Sequence, residues 1–160
     1  MAAGQARRFG ANKLLQDFGG RPLCSWALAA ARQDCFSGTI VVTAYDAVAA
    51  LAEGLTVVRN DWPELGISRT IRLGLAAAGE CDGAVFLTAD QPLLTGQTLQ
   101  RLAAAFRADP NRIYAASSGD RRGNPVLFPR EFFGELAALE GDQGGAAVLR
   151  AHPDRLTLLE

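Results

Sequence analysis

Short, nearly unbroken apolar runs alternate with longer helical stretches along this chain, and that alternation restricts its possible folds more than any other feature. Residues 39–44, 55–59, 84–88 and 113–117 are rich in β-branched and apolar side chains and read as strands. Continuous runs suit strands covered on both faces, as in a parallel sheet. Between them, residues 22–33, 47–53, 67–78 and 98–107 carry helical periodicity and much alanine. Residues 130–139 and 143–152 add two later helices, and 155–159 a last strand. The pattern predicts a Rossmann-like three-layer α/β/α sandwich on a mostly parallel sheet with right-handed crossovers. With 160 residues, 49% of them hydrophobic, there is material for one core, so residues 1–160 read as a single domain.

Composition excludes several classes. A net charge of −1 provides no basic field for nucleic acid or an anionic membrane. No apolar run is long enough to span a membrane, and no secretory signal opens the chain. Cys24, Cys35 and Cys81 have neither C-x-x-C nor Cys/His spacing, so they read as small buried hydrophobes in a reducing, cytoplasmic setting. The single histidine, His152, stands at a helix end beside Pro153, where it suits the helix dipole and speaks against a Ser-His-Asp triad. G-x-G-x-x-G and G-x-x-x-x-G-K-S/T are both missing from the sequence. A monomer is expected.

Cation usage is uneven. Fifteen of the sixteen basic residues are arginine, and the one lysine, Lys13, closes the segment Ala2-Ala3-Gly4-Gln5-Ala6-Arg7-Arg8-Phe9-Gly10-Ala11-Asn12-Lys13. Small residues allow close backbone approach, and free N–H groups backed by Arg8 and Lys13 would cradle a polyphosphate. A plain surface loop fits the same residues equally well. Asp90 follows the best strand in the chain, at the end where open α/β sheets bind ligands, and Pro92 turns the chain away. A carboxylate there suits Mg2+, which binds one or two carboxylates plus substrate phosphates, but Asp90 also suits a turn or a helix cap. Asp142, between Gly141 and Gln143-Gly144-Gly145, reads either as a second carboxylate for that metal or as a cap.

The loop pattern, A-A-G, three residues, Arg, one residue, Gly, two residues, Lys, resembles the signature of nucleotidyltransferases that attach nucleotides to the molybdenum cofactor. Three later segments resemble that family in the same order: Gly66-Ile67-Ser68-Arg69-Thr70-Ile71-Arg72, Leu87-Thr88-Ala89-Asp90-Gln91-Pro92-Leu93, and Arg122-Gly123-Asn124-Pro125-Val126-Leu127-Phe128 with Gly141-Asp142-Gln143-Gly144-Gly145 behind it. The pairing of A-D-Q-P with G-D-Q-G-G is most similar to the molybdenum cofactor cytidylyltransferases of the MobA-like NTP transferase family.

That resemblance implies a nucleotide-diphospho-sugar transferase-like fold and Mg2+-dependent transfer of CMP from CTP to molybdopterin, with release of pyrophosphate. A molybdenum hydroxylase would then receive the cofactor. Catalysis falls to Arg8, Lys13 and Asp90, and nucleotide binding to Ala2, Ala3, Gly4, Arg8, Gly10, Lys13, Gly66, Ser68, Thr70 and Asp90. Thr43, at a strand end, would face the base. Arg122, Gly123, Asn124 and Pro125 would hold the acceptor, with Asn124 where the family commonly has His, so no acid or base role falls to it. Asp90 and Asp142 would hold the metal. A guanylyl- or sugar-nucleotidyltransferase, or a non-catalytic cofactor chaperone, is the alternative. In such a fold the glycine loop follows a central strand, and only Met1, Ala2 and Ala3 precede Gly4, so a shortened first strand is expected, with a short acidic segment lacking after Glu160.

Overall fold

The computed structural model describes residues 12–160. The Asn12 side chain accepts a hydrogen bond from Leu14 N at 3.1 Å and caps a 3-10 turn over Lys13–Leu15. A small hairpin follows, β1 (Asp17–Phe18) and β2 (Arg21–Pro22), closed by Gly19 and Gly20 with φ of 64° and 87°. Then come α1 (Leu23–Ala30), β3 (Ile40–Thr43), α2 (Asp46–Leu51), β4 (Thr56–Arg59), α3 (Ile67–Ala78), β5 (Gly83–Phe86) and α4 (Gly96–Ala108). The last third holds β6 (Ile113–Ser118), β7 (Arg121–Pro129), α5 (Phe133–Ala137), α6 (Ala146–Ala151) and β8 (Leu156–Leu159).

Among the described residues, β3 pairs parallel with β4, and a four-stranded sheet runs in the order β5-β7-β6-β8. Side chains alternate across a strand, and this explains why helices cover both faces. Ile113, Ala115, Val126 and Phe128 pack with Ile71, Leu136 and Val148 on one side. Tyr114 and Leu127 pack with Ala30, Leu99 and Leu102 on the other. A third cluster joins Leu14, Cys24, Val41, Val48 and Ala89, seating the Lys13 turn against β3 and the segment after β5.

The expected α/β sandwich is the fold, and β8 stands where the terminal apolar run predicts it. The sheet is mixed because β7 runs antiparallel to both β5 and β6. Residues 121–125 fall in none of the runs that read as strands. They belong instead to β7, because the two-residue turn at Gly119-Asp120 folds the chain straight back, with Ser118 opposite Arg121 and Ser117 opposite Arg122. The last helix starts at Ala146, not at 143, since Gly145 holds its N-cap position and Gln143 N bonds back to the Glu140 carbonyl. Only Cys24 of the three cysteines is buried, and burial pushes its thiol pKa up. His152 ends α6 as expected, and its Nε2 lies 2.9 Å from both Glu135 carboxylate oxygens.

Candidate active site

Lys13 and Asp90 are 77 residues apart in sequence and meet in the fold, with Lys13 Nζ donating to Asp90 Oδ2 at 3.2 Å. Each is brought there by its neighbour. Leu14 and Ala89, the residues beside them, sink into the same core cluster, so burial of two apolar side chains sets the placement of two exposed charged ones. Asp90 does not cap α4, since that helix begins at Gly96 with Thr95 capping it. It occupies a turn just past the carboxyl end of β5.

Partial burial pushes the Asp90 carboxyl pKa up, but hydrogen bonds from Thr88 and Lys13, the Lys13 charge and Asp90's own backbone amide outweigh it and hold the group below the ordinary carboxylate value. A depressed folded-state pKa adds stability above the unfolded value of about 3.9, and that stability is lost as pH falls through the folded value. The side chains are 49% and 42% exposed, so solvent screening keeps the contribution small. Replacing Lys13 removes two of the lowering influences. Lys13→Met is therefore expected to raise the Asp90 titration midpoint, read by carboxyl carbon NMR; an unchanged midpoint would refute the ion pair.

Gln91, next in the chain, donates from Nε2 to the Asn124 carbonyl at 3.3 Å. This bond ties the Asp90 turn to the Arg122-Gly123-Asn124-Pro125 segment on β7, where Arg122, Gly123 and Asn124 are exposed. The Asn124–Pro125 peptide is cis. Gln91 does not stand out in the sequence beyond its place in the A-D-Q-P motif.

A second group of residues organises the loop between β4 and α3. Asn60 is 1% exposed and lies just past β4, where its N–H donates to the Thr43 carbonyl at 2.9 Å. Its side chain donates to Thr70 Oγ1 at 3.2 Å and accepts from Arg69 Nε at 3.0 Å and Trp62 N at 3.3 Å. The Arg69 guanidinium lies 4.8 Å over the half-exposed Trp62 ring, which covers this loop and is not core. Sequence reasoning misses Asn60, because one buried amide leaves no periodic trace. Thr43, Ser68 and Thr70 are all buried; Thr43 Oγ1 accepts from Tyr45 N at 3.1 Å and Thr70 Oγ1 from the Asn60 amide, while Ser68 Oγ has no hydrogen-bond partner among the described residues.

Behind α3, Gly66 occupies the helix N-cap with φ 90° and ψ 179°. Its hydrogen-bearing face lies flat on the Gly141-Asp142 peptide, and Ser68 N donates to the Gly141 carbonyl at 3.1 Å. Arg72 Nη1 adds a bond to the Leu139 carbonyl at 2.6 Å. Asp142 is exposed on this loop and does not cap α6. Ala2, Ala3, Gly4, Arg8 and Gly10 lie outside the described residues.

No group of three or more His, Cys, Asp or Glu residues able to hold a metal occurs among the described residues. An ionised, accessible Asp90 still fits Mg2+, whose remaining positions go to water and substrate phosphates.

The residue pattern has clear relatives. A 3-deoxy-manno-octulosonate cytidylyltransferase from Bdellovibrio bacteriovorus is 34% identical over 64% of this chain and 44% of its own length. The bifunctional protein GlmU of Cutibacterium acnes is 34% identical over 71% of this chain and 29% of its own length. The chain thus spans less than half of these curated relatives. Rv0371c from Mycobacterium tuberculosis has the same fold, with a TM-score of 0.84 and 29% identity over 99% of this chain and 83% of that one. The structure of Rv0371C with manganese aligns with a TM-score of 0.77 at 28% identity, covering 92% and 80% of the two chains. The family model described as the MobA-like NTP transferase domain matches residues 1–156, and to that family this chain belongs.

Proposed function

We propose that the chain is a nucleotidyltransferase that moves CMP from CTP to the phosphate of molybdopterin and releases pyrophosphate. The observation that carries the reading is the Lys13–Asp90 pair at the carboxyl end of β5, an exposed ammonium and an ionised carboxylate side by side. The A-D-Q-P and G-D-Q-G-G segments support cytidine and the molybdenum cofactor as the particular substrates.

In this reaction an oxygen of the acceptor phosphate attacks the α-phosphorus in line, and the bond to the β-phosphate oxygen breaks. Lys13, with Arg8 and the backbone of Ala2, Ala3, Gly4 and Gly10, neutralises the triphosphate and the departing pyrophosphate. The first turn of α3 with its cap, Gly66 to Thr70, held by Asn60 and Gly141, borders the nucleoside, with Thr43 beneath it. Asp90, assisted by Asp142, would hold Mg2+, which when bound offsets negative charge on the reacting phosphates. Arg122, Gly123, Asn124 and Pro125 position the acceptor, coupled to the Asp90 turn through Gln91. A molybdenum hydroxylase would be the destination of the product.

The name of one curated relative, a 3-deoxy-manno-octulosonate cytidylyltransferase, favours a second reading, transfer to a sugar or sugar derivative. A thermal-shift series with CTP, GTP, ATP and UTP plus Mg2+ identifies the nucleotide, since a ligand at one hundred times its dissociation constant stabilises by about 2.7 kcal/mol. Pyrophosphate release with molybdopterin or with a sugar phosphate then separates the acceptors, and binding without release would identify a carrier. Lys13→Ala is expected to weaken nucleotide binding or turnover at least about tenfold, on the order of 1.4 kcal/mol, with little loss of unliganded stability. Unchanged affinity and rate would remove Lys13 from the site.

A further inference from the structure

Trp62 has the largest side chain in the loop between β4 and α3, and it is 54% exposed. An indole left in water forgoes the burial that such a side chain ordinarily supplies. The ring is nonetheless held firmly. Asn60 Oδ1, on a residue that is itself buried, accepts from both Trp62 N at 3.3 Å and Arg69 Nε at 3.0 Å. One buried oxygen thus anchors the backbone of the indole and the guanidinium that lies 4.8 Å from its centroid. The Trp62 carbonyl in turn accepts from Leu65 N at 3.2 Å, in a 3-10 turn over Pro63–Leu65 that leads into the Gly66 cap of α3.

These contacts narrow what the ring can hold. Arg69 lies over the indole, and among the described residues no other ring or cation stacks on it, so ring surface is left for a second layer. The Arg69 charge opposes a cation there, whereas a neutral planar ring gains contact area and dispersion without desolvating a charge. Fixing both layers on a buried amide also removes ordering that a free indole would undergo when a ligand arrives. The place fits as well. Asn60 N donates to the Thr43 carbonyl at the carboxyl ends of the parallel pair β3 and β4, the end at which open α/β sheets bind ligands.

We infer that Trp62 is the stacking platform for the nucleobase, backed by Arg69, with Asn60 as the positioning residue that holds both. The inference rests on the nucleotidyl transfer proposed above and adds to it how the base is held. Every base has a π-face, so the platform supplies affinity and leaves the choice among bases to hydrogen bonds elsewhere.

The test uses the 160-residue chain with Mg2+ and reads tryptophan emission, melting temperature and dissociation constants. CTP is expected to quench the parent's emission, and inorganic tripolyphosphate, which has no base, to leave it unchanged. Trp62→Phe should bind CTP nearly as the parent does and lose the quench, because Trp26, the second tryptophan, is engaged by Arg21 at 3.6 Å from its ring centroid. Trp62→Leu should weaken CTP and GTP alike, by roughly 5- to 150-fold, and bind tripolyphosphate as before. Asn60→Asp, which can still accept both bonds, should keep the quench, and Asn60→Leu should lose it; a quench that persists in Asn60→Leu would overturn the role of Asn60. CTP that raises the melting temperature without quenching, or Trp62→Leu that binds CTP like the parent, would overturn the platform and leave the proposed reaction standing. Equal loss of tripolyphosphate in Trp62→Leu would make Trp62 a structural residue, and quenching by pterin but not by CTP would give the ring to the acceptor; either overturns the inference. If no nucleoside triphosphate shifts the melting temperature, the proposed reaction fails, and the platform with it.

Discussion

Asp90→Asn is expected to lose at least about a hundredfold in nucleotidyl transfer while the protein folds and melts almost as before. Loss of a residue that merely orients a metal ligand costs roughly 10–100-fold, and a direct ligand should cost no less. The fold survives because the pair with Lys13 is solvent-exposed, and such pairs contribute about 0–1 kcal/mol. The substitution keeps the shape of the side chain and removes its charge, so Mg2+ should show a weakened hold on the mutant when titrated against pyrophosphate release. A mutant with the parental rate and metal dependence would return Asp90 to the role of a turn residue.

The largest effect on stability is expected at Gly66. Its φ of 90° with ψ of 179° is a region essentially reserved for glycine, costing other residues about 1–3 kcal/mol. Here a methyl group would also overlap the Gly141 carbonyl and stand 2.8 Å from Asp142 N. Both obstacles are backbone, so neither can rotate away. Gly66→Ala should therefore cost about 3 kcal/mol or more, measured by denaturant unfolding. Gly119→Ala provides the comparison, since φ is +55° there and nothing lies within 4 Å of the added carbon; the cost should be roughly 1–2 kcal/mol. Equal costs at the two positions would show that the Gly141 loop does not back onto α3.

Much of this architecture is readable in the chain because burial on both faces writes long apolar runs. β3, β4, β5, β6 and β8 lie within a residue or two of the runs that predict them, and α3 begins and ends where its periodicity does. β7 is hidden because its first half, Arg121 to Asn124, is polar and exposed, and becomes strand only through the tight turn before it. Lys13 and Asp90 each stand out, one as the sole lysine and the other as an acid after a strong strand. Their meeting is implied only by the family resemblance, which puts both in one site; the residues by themselves do not show it, since it depends on Leu14 and Ala89 sharing a core cluster with side chains of α1, β3 and α2. Asn60 leaves still less trace. A buried amide that holds three neighbours differs from a loop asparagine only in three dimensions.

The contact between Lys13 and Asp90 also constrains the order of events when ligands arrive. In the free protein each charge answers the other, so the pair exerts little net field on its surroundings. An anion that draws the ammonium away leaves a bare carboxylate, and a cation that takes the carboxylate frees the ammonium. By reciprocity, whatever free energy one ligand gains from the other's presence, the second gains equally. Anion and cation affinities measured separately would then understate what the site achieves when both are present.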